Sequence, residues 1–399
     1  MTESRFPSLP RLFIDLATYL GFIALVLCAG GQSDFKEYWG AFHLISGGGN
    51  PYDPQAMFDL QRSIEPSLAK PLMMWNTPWL PLVFSPILHL PYELSRFLWL
   101  CSSCLMLYLS LHMTTRLVGA KQSLPHIVYL CVLGYPVMEC LRLGQMGCIL
   151  LLALCTSWNF ANKGKHLTAG LIFALLGAKP HLFIILGVLL LLASVRNGWN
   201  GLKASWNPQF LVGAIFGTLC LWSLAVAVSP ALPIQWYSAV TGTFAGPPPA
   251  YLWRTATPAS IIKELLGIEK KAGQLILLWL PCVAGIAGAV IWKLRTYLRS
   301  RMPNQPIREL IPTWTALSVA LSPFAWPFDF VVLLPLTVSA MHAAGSRAVS
   351  IRAIDFLLLL QIASLGSLWI AGEYFGPWWY PAALLVWVVL ARRRSSAHE

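Results

Sequence analysis

Ten apolar runs follow one another along the chain, at 12–31, 77–115, 124–140, 145–160, 167–195, 208–229, 274–294, 311–343, 353–371 and 377–391. A helix needs about 20 apolar residues to cross the hydrocarbon core of a bilayer. The pattern therefore predicts an all-α polytopic membrane protein with short loops. Three runs are interrupted. The first, 77–115, carries Pro81, Pro86 and Pro91 and reads as broken; 167–195 is cut by Lys179-Pro180-His181, and 311–343 by Pro323 and Pro327. The last two read as pairs of short helices meeting at a polar elbow. Broken backbone at membrane depth is tolerated only where protein packs on it or where it lines a wet cavity.

Composition agrees and excludes a water-soluble enzyme. The 399 residues are 57% hydrophobic and only 11% charged, with mean hydropathy +0.63, against about 25% charged in soluble domains. The net charge of +12 is best read as topology, not as an affinity for nucleic acid. With the N-terminus in the cytoplasm and 77–115 as one net crossing, roughly 18 of the 28 basic residues fall inside. They lie at Arg5/Arg11, Arg116/Lys121, Lys163/Lys165, Arg196/Lys203, Lys293 to Arg308, Arg347/Arg352 and Arg392 to Arg394. About 12 crossings result, with both termini cytoplasmic. A separate crossing at 77–90, beside Arg96, would reverse everything downstream.

The start of the chain resembles a signal peptide, and Leu25-Val26-Leu27-Cys28 a lipobox, except that Leu27 stands where a small residue is required. An uncleaved first span is the simpler expectation. The nine cysteines lie in or beside apolar runs; Cys101 and Cys104 form a C-x-x-C without histidine partners, so buried thiols are expected. Aromatic residues at 75, 79, 236, 237, 378, 379 and 380 read as an interfacial belt. Two long segments, 32–76 and 230–273, face outward, the second with a short amphipathic stretch at 259–270. No repeat is visible, and 1–399 reads as one helical domain.

Candidate chemistry comes from the ionisable groups. Only 16 acids are present, and Asp34, Glu37, Asp53, Asp59, Glu65, Glu139, Asp329 and Glu373 fall on the outer side. Arg142, Gln145, Lys179, His181 and Arg254 join them at helix ends or elbows. Polar groups kept at membrane depth are costly and are functional candidates by default. Asp34 opens the first outer segment, where it either acts or simply ends a helix. Lys179 either meets an anion or snorkels, Arg142 and Gln145 occupy a tight turn between two spans, and His181 alone suits a hydrogen-bonded core position. There is no G-x-x-x-x-G-K-[ST], G-x-G-x-x-G, H-E-x-x-H or G-x-S-x-G, and Gly47-Gly48-Gly49 follows no strand. With no nucleotide domain, any sugar donor has to reach the outer face already attached to lipid.

Asp34-Phe35-Lys36-Glu37-Tyr38-Trp39, followed by Gly47-Gly48-Gly49-Asn50-Pro51-Tyr52-Asp53, resembles the first outer loop of glycosyltransferase family 87. That family is the polyprenol-phosphate-mannose-dependent α-mannosyltransferase type, with a GT-C fold. Thr77-Pro78-Trp79 leading to Pro86 and Leu90-Pro91, Gly144-Gln145, Ala178-Lys179-Pro180, and Leu321-Ser322-Pro323 with Trp326 and Asp329 match in order. The resemblance implies an inverting enzyme in the bacterial inner membrane. It would move a hexosyl, foremost mannosyl, group from a polyprenyl-phosphate donor to a glycolipid or glycan acceptor at the outer face, without cofactor or metal. It also implies Asp34 as catalytic base. Lys179, Arg142, Gln145, His181 and Arg254 are then expected on the donor phosphate, and Glu37, Tyr38, Asn50, Tyr52 and Asp329 around the substrate. Mannose-transferring members carry a histidine in the Ser-Pro-x-x-Trp segment, whereas here Trp326 leads into Pro327-Phe328-Asp329.

The residues support the same chemistry. Displacement at an anomeric carbon needs a base at the acceptor hydroxyl and cations for the leaving phosphate, whereas a second carboxylate acting as nucleophile would give retention. A transporter would gather its charges at the midplane and show inverted repeats. A polyprenyl-linked glycan ligase or polymerase would use a large outer loop rich in Arg and His, and 230–273 has only Arg254, Lys263, Lys270 and Lys271.

Overall fold

A computed structural model describes residues 33–119, 134–199, 208–241, 255–265, 280–299 and 311–343, together with 363, 379–381, 383–384 and 386. The expected spans at 12–31 and 353–371, and Arg254, lie outside them. The described residues are helical, with no strand among them. Within 32–76, α1 (Phe35–Ser46) and α2 (Pro54–Ile64) pack together. Asp53 starts α2 as its cap, its Oδ1 accepting from the backbone of Gln55 at 2.8 Å and Ala56 at 3.1 Å, with Pro54 supplying a preset first turn. Gly47, Gly48 and Gly49 donate their amides to His43, Ile45 and Leu44 of α1, with Gly48 at φ +74°. Those amides close the helix, so the glycine run is a helix C-terminus and not a phosphate cradle.

The prolines break 77–115 as expected. Short helices α3 (Trp79–Val83) and α4 (Ser85–Leu88) precede α5 (Tyr92–Leu117), which alone in this run is long enough to span. Trp39 donates to Leu90 O (3.1 Å) and the His43 ring meets Leu88 O (3.1 Å), fastening α1 to the broken stretch. The next pair, α6 (Tyr135–Leu143) and α7 (Gly147–Asn162), bends by 119° at the Gly144-Gln145 turn. Gly144 adopts φ +74°, the left-handed conformation that only glycine takes without cost. A Cβ on Gly147 would lie 2.5 Å from Val331, so glycine lets the bend press against 327–333.

The 167–195 run becomes α8 (His166–Phe173), 3-10 turns at Ala174–Ala178 and Pro180–Leu182, and α9 (Ile184–Trp199). There follow α10 (Pro208–Val228), α11 (Leu232–Thr241), α12 (Pro258–Leu265) and α13 (Leu280–Arg299). The 311–343 run splits into α14 (Ile311–Ala320), a 3-10 segment Pro327–Leu333 and α15 (Leu334–Ala343). Each elbow stands where the proline pattern puts it, because proline removes a backbone donor and blocks the preceding turn.

Among the described residues α5 and α10 are long and apolar enough to cross a membrane, and α6–α7 adds a third span if the bent pair counts as one. The outward side of α10 is apolar and exposed, with Val212, Ile215, Phe216 and Leu219 each more than half uncovered, as a lipid-facing helix requires. One expectation needs correction. Trp79 and Tyr380 are core residues, 2% and 5% exposed, and not members of an interfacial belt. An indole or phenol that packs against helices buries more apolar area than one lying at the headgroups.

One close helix crossing depends on missing side chains. Gly170 of α8 lies against Phe210 and Ala214 of α10, and Gly213 against Leu167 and Leu171, so a Cβ on either would run into the backbone of the other helix. Small residues are how membrane helices approach closely. Gly213→Ala should therefore destabilise by about 1–3 kcal/mol. Gly187→Ala in α9, where nothing lies within 4 Å of the added carbon, should be neutral or stabilising by up to about 1 kcal/mol. Thermal unfolding of both variants in detergent checks the contrast.

Candidate active site

Four segments far apart in sequence meet at Gln145. Asp34 stands directly before α1, its amide donating to Leu143 O at 2.9 Å. Its carboxylate accepts from Gln145 Nε2 at Oδ2 (2.9 Å) and from Ser33 Oγ at Oδ1 (3.0 Å). Gln145 Oε1 accepts in turn from the Tyr38 hydroxyl (2.9 Å) and the Lys179 ammonium (3.4 Å). Lys179 Nζ donates to Asp329 Oδ1 at 2.7 Å and lies 4.9 Å from the centre of the Phe328 ring. Asp329 Oδ2 accepts the Trp326 amide at 3.0 Å. The Lys179 and Asp329 side chains are 8% and 0% exposed.

The local chain explains each position. Lys179 sits between two 3-10 turns, ahead of a proline, so its side chain leaves the backbone at the break. Asp329 occupies the first turn of Pro327–Leu333 and caps it through Trp326. Tyr38 projects one turn into α1 and stacks on Trp99, centroids 5.5 Å apart at 28°. Trp99 donates its indole N–H to Gly144 O at 2.8 Å, holding the turn that presents Gln145.

The other candidates are placed as follows. Glu37 is half-buried, its carboxyl beside Asp34, Tyr38, Gln145 and Lys179. Asn50 Oδ1 accepts the Tyr52 amide (2.9 Å), and the Tyr52 hydroxyl donates to Asn76 O (2.9 Å). Asn76 Nδ2 donates to Ala178 O at 3.3 Å. This chain of bonds fastens the loop after α1 to the residue before Lys179. Arg142 pairs with Glu139 on its own helix (2.9 and 2.5 Å) and is nearly half exposed. The edge of the His181 ring meets Phe324, centroids 6.2 Å apart, and His181 Nε2 is buried without a hydrogen-bond partner among the described residues. Ser33 and Asn76 are site residues that motif reading passes over. Each stands next to a flagged residue, Asp34 and Thr77, and only that adjacency could have marked them.

Burial raises the pKa of Asp34 above its ordinary 3.8, offset by hydrogen bonds from Gln145 and Ser33 and by the charges of Lys179 and Arg142. Burial and then the neighbouring Asp34 charge push Glu37 up to about 8. The two carboxyls therefore divide the states between them. Asp34 has hydrogen-bond donors aimed at its carboxylate, whereas Glu37 holds its proton at neutral pH.

The model of glycosyltransferase family 87 matches residues 75–311, well over half of the 399 residues. The chain belongs to glycosyltransferase family 87. No curated protein and no solved structure matches it significantly. As a member it is a glycosyltransferase, working between a sugar donor and an acceptor, and its apolar helices make it a membrane protein. Gln145 and Lys179 lie within the matched stretch, while Asp34 and Asp329 lie outside it and are joined to it by the bonds above.

Two stability measurements follow for this glycosyltransferase. Lys179→Met strands the Asp329 carboxylate and should destabilise by about 3–5 kcal/mol, most of which Lys179→Met with Asp329→Asn should recover; thermal melts in detergent read both. A raised carboxyl pKa means folding favours the neutral form, so stability present below 4.5 is lost as pH rises through about 8. Across that window the melting temperature of Glu37→Gln should gain progressively on the wild type. A constant difference between them would contradict the placement of the proton on Glu37.

Proposed function

We propose that this glycosyltransferase moves a hexosyl, foremost mannosyl, group from a polyprenyl-phosphate donor to a hydroxyl of a glycolipid or glycan acceptor, with inversion at the anomeric carbon. The reaction takes place at the outer face of a bacterial inner membrane, both termini lying in the cytoplasm. One observation carries the reading: the Asp34 carboxylate and the Lys179 ammonium are hydrogen-bonded to the same amide, that of Gln145. A base and a cation on one site are what displacement of a sugar phosphate needs.

Asp34 takes the proton of the acceptor hydroxyl, and its raised pKa makes it a stronger base than an exposed aspartate. The acceptor oxygen then bonds the anomeric carbon while the carbon–oxygen bond to phosphate breaks. The leaving phosphate departs with the electron pair and needs no acid, only a cation as its charge develops. Lys179 is that cation, held at the break by Asp329. Double displacement would need a second ionised carboxylate at the sugar or Asp34 itself as nucleophile. Glu37 is protonated at neutral pH and Asp329 is committed to Lys179 and Trp326, which favours the single step.

The test is transfer of radiolabelled sugar from polyprenyl-phosphate donors by the purified enzyme. Asp34→Asn should lose about 10²–10⁴-fold in turnover while still binding donor. Wild-type turnover should fall as pH drops, with a midpoint above 3.8, because protonation removes the base. Full activity in Asp34→Asn would refute the assignment.

A further inference from the structure

We propose that Gln145 is the positioning residue of this site: its amide engages Oδ2 of Asp34, leaves Oδ1 to take the acceptor's proton, and keeps that carboxylate in register with Lys179. The inference rests on Asp34 acting as base, and it gives Gln145 a different task from the phosphate contact expected of it.

The amide has one arrangement that satisfies its neighbours. Lys179 and the Tyr38 hydroxyl both donate to Oε1, and an ammonium has no acceptor to offer in return. Turning the amide over would point its NH2 at Lys179 and leave Asp34 Oδ2 facing an oxygen. The orientation is therefore dictated from both ends, and one of the two N–H groups of the amide is given to Asp34.

The backbone beneath is held with equal care. Gln145 N donates to Cys140 O at 2.9 Å and Gln145 O accepts from Cys140 Sγ at 3.4 Å. Leu143 O, two residues earlier, binds the Asp34 amide at 2.9 Å, and Gly144 O binds the Trp99 indole. Three consecutive residues of the α6–α7 bend thus hold the main chain of Asp34, the Trp99 platform and the Asp34 side chain. Gln145 itself is 5% exposed.

The consequence for the reaction is specific. Each oxygen accepts one hydrogen bond, Oδ2 from the fixed Gln145 amide and Oδ1 from Ser33 Oγ, a hydroxyl that can turn to give its place to the acceptor. The acceptor's proton passes to Oδ1 as the oxygen it leaves bonds the anomeric carbon, and the phosphate departs. A hydrogen bond to the charged carboxylate also favours that form against burial, so removing it should raise the pKa at which the base fails.

Gln145→Met keeps the bulk and removes every side-chain hydrogen bond. Gln145→Glu keeps the acceptor for Lys179 and Tyr38, loses the donor to Asp34, and adds a like charge. In both, turnover should fall about 10–100-fold with the KM for donor little changed. The acid limb should move upward in Gln145→Met and further in Gln145→Glu. Infrared titration of the Asp34 carboxyl, its band identified with Asp34→Asn, should show the same shift without any turnover. An unmoved band, or a variant altered only in the KM for donor, would overturn the proposal. Absence of transfer by the wild type would instead refute the proposed function, while the titration still decides whether Gln145 holds the carboxylate.

Discussion

An ammonium and a carboxylate buried against each other, Lys179 and Asp329, join two breaks in the helical framework. Neither charge is tolerable alone at that depth, since removing one partner of a buried pair leaves the other uncompensated. The pair therefore dictates that the two broken runs meet and that they meet at their elbows. Each elbow also makes local bonds. Lys179 N donates to Leu176 O and Leu182 N to Lys179 O, while Ser322 Oγ serves both the amide and the carbonyl of Phe324. The cost of breaking a helix in an apolar body is in this way confined to a few backbone groups, and the side chains are free to converge.

What the junction gathers is set from the other side by α1 and the loop that follows it. Trp99 orders both the Tyr38 ring and the Gly144 turn, and the bonds through Tyr52 and Asn76 end on Ala178, beside the lysine. Asp34, Gln145 and Lys179 thus rest on three supports, each tied to the next by hydrogen bonds or packed rings. Rigid placement matters because a base and a cation act on one reacting centre only if both are already in position.

Much of this was legible residue by residue and little of it as an assembly. The prolines mark the breaks because ring and missing donor act locally, and Asp34, Gln145, Lys179 and Asp329 stand out because polar groups in apolar runs are expensive. Their convergence is another matter. Asp34 and Gln145 are 111 residues apart, and Lys179 and Asp329 are 150 apart, so no local period links them. The Gly170–Gly213 crossing is equally silent, since a glycine in an apolar helix shows no sign of what it faces. Trp79 was read as interfacial from its type, and its burial is a property of the neighbours that cover it. Asn50 and Tyr52 were expected at the substrate, and the bonds they make serve the loop and its link to Asn76.

The central claim, that one base and one cation at the Gln145 junction carry out a single displacement, concerns the product's stereochemistry. It is tested most directly by nuclear magnetic resonance of the glycosidic product that the purified enzyme forms from an anomerically pure polyprenyl-phosphate sugar. The account requires the opposite anomeric configuration in the product. A retained configuration would demand a carboxylate nucleophile and a covalent intermediate, and would contradict it.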